Sequence, residues 1–154
     1  MTQLTPTPIN LDTEVRKVVY DSFISRCSPI LQADIARQID IPLSQVAASL
    51  HRLAEAHMLV LQPSSGEVLM ANPFSAVPTA FRVEAREKAW WANCIWDGLG
   101  VCAMVGEDAV VTTSCPDCGE ALSLEVSGGK IASSQGIIHF AVPAAHWWDD
   151  IVFT

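Results

Sequence analysis

Apolar residues recur at helical spacing through the first third of the chain and give way to short alternating runs in the last third. Val15, Val18, Val19, Phe23 and Ile24 fit one helix face, with Asp12 or Thr13 as the expected N-cap. Cys27-Ser28-Pro29 should end that helix, because proline disfavours helical geometry in the residue before it. Leu31, Ile35 and Ile39 suggest a second, shorter helix. After the Asp40-Ile41-Pro42 turn, Val46, Ala47, Leu50, Leu53 and Ala54 mark the inward face of a third helix, from about Leu43 to His57. Met58–Leu61 and Glu67–Met70 then flank Pro63-Ser64-Ser65-Gly66, which is a hairpin signal. Three helices followed by a hairpin is the winged helix-turn-helix plan.

Asn72–Pro78 reads as a linker, Phe81-Arg82-Val83 as a short strand, and 84–97 as a helix ended by Gly98 and Gly100. Beyond it the pattern turns to β, with runs at Val101–Val105, Ala109–Ser114, Leu122–Val126, Lys130–Ser133 and Ile137–Val142. A helical turn is expected near Pro143–Asp150 and the start of a strand at Ile151-Val152-Phe153. The expected fold class is therefore α+β: a winged-helix-like helical domain, then a helix plus an antiparallel β-meander. The expected divisions are a flexible arm at 1–11, the winged-helix-like domain at 12–72, a linker at 73–80 and an α+β domain at 81–154.

Composition narrows the classes. Half of the 154 residues are apolar and 17% are charged, so a packed core is expected. No apolar run approaches the roughly 20 residues that cross a bilayer. The N-terminus lacks the basic and apolar blocks of a signal peptide, which points to the cytoplasm. Five irregularly spaced cysteines argue for free thiols rather than a disulfide framework. The net charge of -8 is uneven, with five basic and seven acidic groups in residues 1–80 against four and ten in 81–154. A DNA reader brings several Lys and Arg to the phosphates, yet the third helix offers only Arg52 as a firm cation and the hairpin offers only Glu67. DNA is not the expected partner.

The richest stretch chemically is Ala89-Trp90-Trp91-Ala92-Asn93-Cys94-Ile95-Trp96-Asp97-Gly98. On a helix, Cys94 and Asp97 would share a face, and burial among the tryptophans would raise the carboxyl pKa. The pair reads as a thiolate for a soft electrophile or metal beside a proton carrier, or as a packed cysteine and a helix-terminal aspartate. Cys115-Pro116-Asp117-Cys118-Gly119 is the second candidate: half of a tetrahedral zinc site, a redox pair or a structural turn. His139 reads as a strand histidine, His146 stands beside Trp147-Trp148-Asp149-Asp150, and Cys27 reads as core.

The order of a winged-helix-like domain, Asn93-Cys94-Ile95-Trp96-Asp97, a Leu99–Gly106 segment, a Val110–Cys115 strand, Ala121–Val126 and Phe140-Ala141-Val142-Pro143 resembles the organomercurial (alkylmercury) lyases. The resemblance covers roughly residues 25–154, and its specific core is Cys94-x-x-Asp97 with Cys115 behind it. It implies protonolysis of a carbon–mercury bond, with Cys94 as thiolate ligand of mercury and Asp97 as proton shuttle. It also implies no cofactor, cellular thiols as partners and Hg(II) as product. A cysteine placed like Cys115 is structural in that family, and a second catalytic cysteine lies on a strand near the C-terminal end. Trp148–Thr154 contains none, so the chain is expected to be cut just before it, with substitution by Cys102 or Cys118, or a member without lyase activity, as the other readings. Two alternatives differ in kind: a non-catalytic winged-helix metal or thiol sensor, or other mercury-binding protein, using Cys94, Cys115 and Cys118, and a structural or partner-binding domain whose cysteines are core.

Overall fold

The computed structural model describes residues 8–133 and 137–152. Three helices open it: α1 (Pro8–Arg26), α2 (Gln32–Gln38) and α3 (Leu43–Glu55). Their apolar stripes meet, burying Val15, Val19, Phe23, Ile35, Val46 and Leu50. α1 begins earlier than the expected cap, so Asp12 lies inside it. There it does a different job: its carboxylate accepts from Ser49 Oγ at 2.6 Å and from Arg52 Nε and Nη2 at 2.9 and 2.6 Å, clamping α1 to α3. The Arg52 guanidinium holds the Asp12 carboxyl below its ordinary value. Of the arm expected at 1–11, residues 8–11 are helical and residues 1–7 lie outside the described residues.

Among the described residues eight strands follow in one antiparallel sheet: β1 (Val60–Leu61), β2 (Val68–Ala71), β3 (Phe74–Ser75), β4 (Phe81–Ala85), β5 (Lys88–Ala92), β6 (Ala109–Ser114), β7 (Ala121–Ser127) and β8 (Lys130–Ser133). Their spatial order is β1-β2-β3-β5-β4-β6-β7-β8. The hairpin after the three helices is thus continuous with the later strands, through β3, which lies in the stretch expected to be a linker. Strand alternation sends Trp90, Val83, Val111 and Leu124, which are paired in register, to one face. All four are buried.

Helix α4 (Ile95–Val105) lies against β4, β5 and β6. This corrects three expectations. Residues 84–97 form no helix but the β4–β5 hairpin and the start of α4; Gly98 and Gly100 sit inside a helix instead of ending one; and Val101–Val105 is helical, not a strand. The glycines are there for contact. A Cβ on Gly98 would lie 2.8 Å from Val111 Cγ1, and one on Gly100 would lie 3.1 Å from Pro73 Cβ. Both positions let helix backbone approach its neighbours more closely than an alanine would allow. Gly106 ends α4 in the left-handed region (φ 67°), its N–H donating to the Cys102 carbonyl at 3.1 Å.

The alternation in Ile137–Val142 yields no strand, and Ile151-Val152 forms a turn, with Phe153 outside the described residues. Between them a 3-10 helix, Ala144–Asp149, follows Pro143. His139 is exposed and outside any strand, and His146 faces Asp149 at 3.0 Å. Trp148 stacks on His57 at 4.2 Å, which seats this C-terminal segment beside α3. Among the described residues no helix is long and apolar enough to cross a membrane.

Candidate active site

The Cys94–Asp97 pair comes together where β5 runs into α4, rather than on one helix face. Cys94 is the N-cap of α4: its backbone is extended (φ −146°, ψ −178°) and its Sγ accepts from the Asp97 backbone N–H at 3.5 Å. Sulfur here occupies the place usually taken by a Ser, Asn or Asp oxygen. The side chains also meet, with Cys94 Sγ 3.7 Å from Asp97 Oδ2 and the thiol donating to the carboxylate. Capping, not the i,i+3 helical stripe, produces the contact.

Burial dominates the electrostatics of both groups. It pushes the Cys94 thiol above its ordinary value, against the Asp97 backbone N–H, which favours the thiolate. It also pushes the Asp97 carboxyl up, against the opposing effects of the Asn93 and Cys94 side chains. The resting pair is a thiol beside a carboxyl group that takes and holds a proton more readily than an exposed aspartate does.

The expected tryptophan pocket is not what surrounds it. Trp90 and Trp91 point to opposite faces of the sheet. Trp90 is buried with its indole N–H donating to the Phe23 carbonyl at 2.7 Å, while Trp91 lies under the Arg82 guanidinium at 5.9 Å. Trp96 is 57% exposed and meets Phe140 edge-on at 6.2 Å; Phe140 in turn contacts Trp147 at 5.2 Å. The true supports are polar and come from three places. Asn93 Nδ2 donates to Asn72 Oδ1 at 2.9 Å, fixing the strand end to the turn before β3. Tyr20 on α1 donates its hydroxyl to the Asn72 carbonyl at 2.9 Å and feels the Asp97 charge. Asn93 Oδ1 is buried without a partner, an acceptor to spare at the edge of the pair. Tyr20, Asn72 and Asn93 were missed as supports because their meeting depends on the sheet order; the adjacency of Asn93 to Cys94 was the only local signal.

The other thiols lie elsewhere. Cys102 is buried two turns further along α4, and Cys27 is half-buried against the helical core in a left-handed conformation (φ 56°). Cys115 and Cys118 occupy the β6–β7 turn, half-buried and exposed respectively. All five cysteines are free. No group of three His, Cys, Asp or Glu side chains placed to hold a metal occurs among the described residues. A cleft of about 450 Å³ between α3 and the β1–β2 hairpin, lined by His51, His57 and Trp148 among others, contains neither Cys94 nor Asp97.

A helix-capping thiol in contact with a half-buried carboxyl group, on a helix laid across an antiparallel sheet, is an arrangement that can take a soft electrophile and move a proton. The alkylmercury lyase family model matches residues 74–154, just over half of the chain, including Asn93, Cys94 and Asp97. The chain belongs to the alkylmercury lyase family. No curated protein matches it significantly. Among solved structures, the "Crystal structure of the mercury-bound form of MerB2" is similar, with a TM-score of 0.63 at 19% identity. That match covers 80% of this chain and 59% of the other, so the chain spans about three fifths of that relative's length.

Proposed function

We propose that this protein cleaves the carbon–mercury bond of organomercurials by protonolysis. The observation that carries the reading is the 3.7 Å contact between the Cys94 thiol and the Asp97 carboxylate, both held in a partly desolvated position at the start of α4. Mercury is very soft, so a thiolate is its natural protein ligand.

Cys94 passes its proton to Asp97 and the resulting thiolate attacks the mercury of R–Hg–SR′. The R′S⁻ group leaves and takes a proton from solvent. Asp97, now a carboxylic acid, delivers its proton to the carbon; the C–Hg bond breaks, R–H departs and Hg(II) remains on the Cys94 sulfur. A cellular thiolate completes its coordination. Burial favours the protonated carboxyl, which suits the donor role. The scheme uses no cofactor. Helices α1–α3 and the β1–β2 hairpin, read as a winged-helix-like unit at 12–72, serve to support and cover the chemistry at 81–154. Arg52 already committed to Asp12 supports that reading over DNA contact.

The test is headspace detection of methane or benzene from methyl- or phenylmercury with excess thiol. Cys94→Ser and Asp97→Ala should each lower turnover by roughly 10²-fold or more, the scale of a lost general acid. Unchanged turnover in Cys94→Ser would sink the assignment. Stoichiometric mercury uptake with no hydrocarbon from the wild-type chain would favour a mercury-binding protein instead.

A further inference from the structure

We propose that Cys115 and Cys118 form a second mercury site, a dithiol that takes Hg(II) in two-coordinate form after its release at Cys94. The source of the metal rests on the lyase reading above; the site itself rests on geometry.

The β6–β7 turn is built to hold two sulfurs at one end of the sheet. Cys115 N–H donates to the Glu120 carbonyl at 2.8 Å, and Gly119 N–H donates to the Cys115 carbonyl at 2.9 Å. Gly119 adopts the left-handed conformation (φ 74°) that closes the turn. The backbone N–H groups of Cys118 and Asp117 and the Cys118 thiol all lie against the Cys115 sulfur, so the two thiols share one turn. Cys118 is exposed and Cys115 half-buried, so a ligand can reach both.

The position is equally specific. β5 and β6 both run antiparallel to β4, so they run parallel to each other and finish at the same end of the sheet. Cys94 follows β5 by two residues and Cys115 follows β6 by one. One strand separates them, placing their backbones on the order of 10 Å apart. By alternation Cys115 leaves β6 on the face of Val111, the residue that touches Gly98 of α4. Cys115 thus leaves its strand on the helix-bearing side of the sheet.

Chemistry selects the ion. Zinc wants four ligands, and no trio of ligating side chains occurs among the described residues. Mercury(II) is satisfied by two thiolates, and soft sulfur ligands select soft ions. Transfer is an exchange in which Hg(SR)₂ and two protein thiols give the bridged dithiolate and two RSH; each departing thiolate takes one proton and no redox change occurs.

Mercuric chloride loaded on the full chain and dialysed against excess glutathione tests this without any carbon–mercury substrate. Wild-type and Cys94→Ser proteins should each retain one mercury, read by metal analysis and by sulfur-to-mercury charge-transfer absorption. Cys118→Ser and Cys115→Ser should retain it roughly 10²-fold less tightly, since a chelate becomes a single thiolate in competition with glutathione. Equal retention in Cys118→Ser, or loss in Cys94→Ser alone, would overturn the proposal. Failure of the lyase reading registers separately, as absent hydrocarbon with this mercury retention intact.

Discussion

At the scale of single residues, the candidate chemistry depends on a carboxylate held where it is uncomfortable. Burial raises the Asp97 pKa in the folded chain. The sign of the stability effect follows. In the pH range between the unfolded and folded pKa values the native state holds more protons, so stability falls as pH rises through it. The cost is absent below the unfolded value and complete above the folded one. Asp97→Asn should therefore be more stable than wild type at pH 7, with thermal midpoints converging as pH falls below about 4. A midpoint difference that is unchanged across that range would remove desolvation as the cause. Asp12 behaves oppositely, because Arg52 lowers its pKa. Its contribution is present above the unfolded value and disappears as pH falls through the folded one. Asp12→Ala should cost about 1–2 kcal/mol at neutral pH by freeing Arg52 and the buried Ser49 hydroxyl, measurable by urea denaturation.

At the scale of elements, α4 is set by its two interior glycines. Gly98→Ala adds a methyl where only 2.8 Å separates it from Val111 Cγ1, so the helix or the Val111 side chain must shift. Despite alanine's better helix propensity, the variant should lose about 1–3 kcal/mol through overpacking. Adding Val111→Ala should restore part of that, which a double-mutant cycle would detect. These glycines also explain why the second half was hard to read. In a linear pattern they signal a stop, whereas here they report how close the neighbouring strand and turn approach. The β4–β5 hairpin was hidden for a related reason. Its turn residue Arg86 adopts a left-handed conformation (φ 52°) without the Gly or Asn that marks most such turns. Helices α1–α3 were legible because their inward residues keep a 3.6-residue period and proline punctuates their ends. The Cys94-x-x-Asp97 spacing is legible too, but not the local structure that carries it; an N-cap and its first turn place i and i+3 side by side as readily as a continuous helix does.

At the scale of the whole molecule, the helical and sheet halves share one hydrophobic core. Phe23 of α1 stacks on Phe74 of β3 with centroids 5.2 Å apart, and Trp90 of β5 donates to the Phe23 carbonyl. Lys88 Nζ also reaches the Ile24 carbonyl at 3.1 Å. Far-UV dichroism and tryptophan fluorescence should accordingly report one coincident unfolding transition. Phe23→Ala should lower it by about 3–5 kcal/mol while keeping the two signals together. Two separated transitions in the wild type would contradict a shared core. This joining could not be read along the chain, since it depends on β3 pairing with β5 across the stretch that resembled a linker.

The sulfur that begins α4 answers to two partners. While it is a free thiol, it accepts from the Asp97 amide and so closes the helix's first turn. A mercury atom bonded to it draws on the same lone pairs and weakens that acceptor. Occupancy would then be written into the backbone as faster deuterium uptake at the Asp97 amide, with Gly98 unaffected because its N–H is tied to the Cys94 carbonyl at 2.9 Å. On the proposed reading the Cys94 sulfur would also work as a latch on its own helix, and arrival of the metal could be followed from the chain without watching the metal at all.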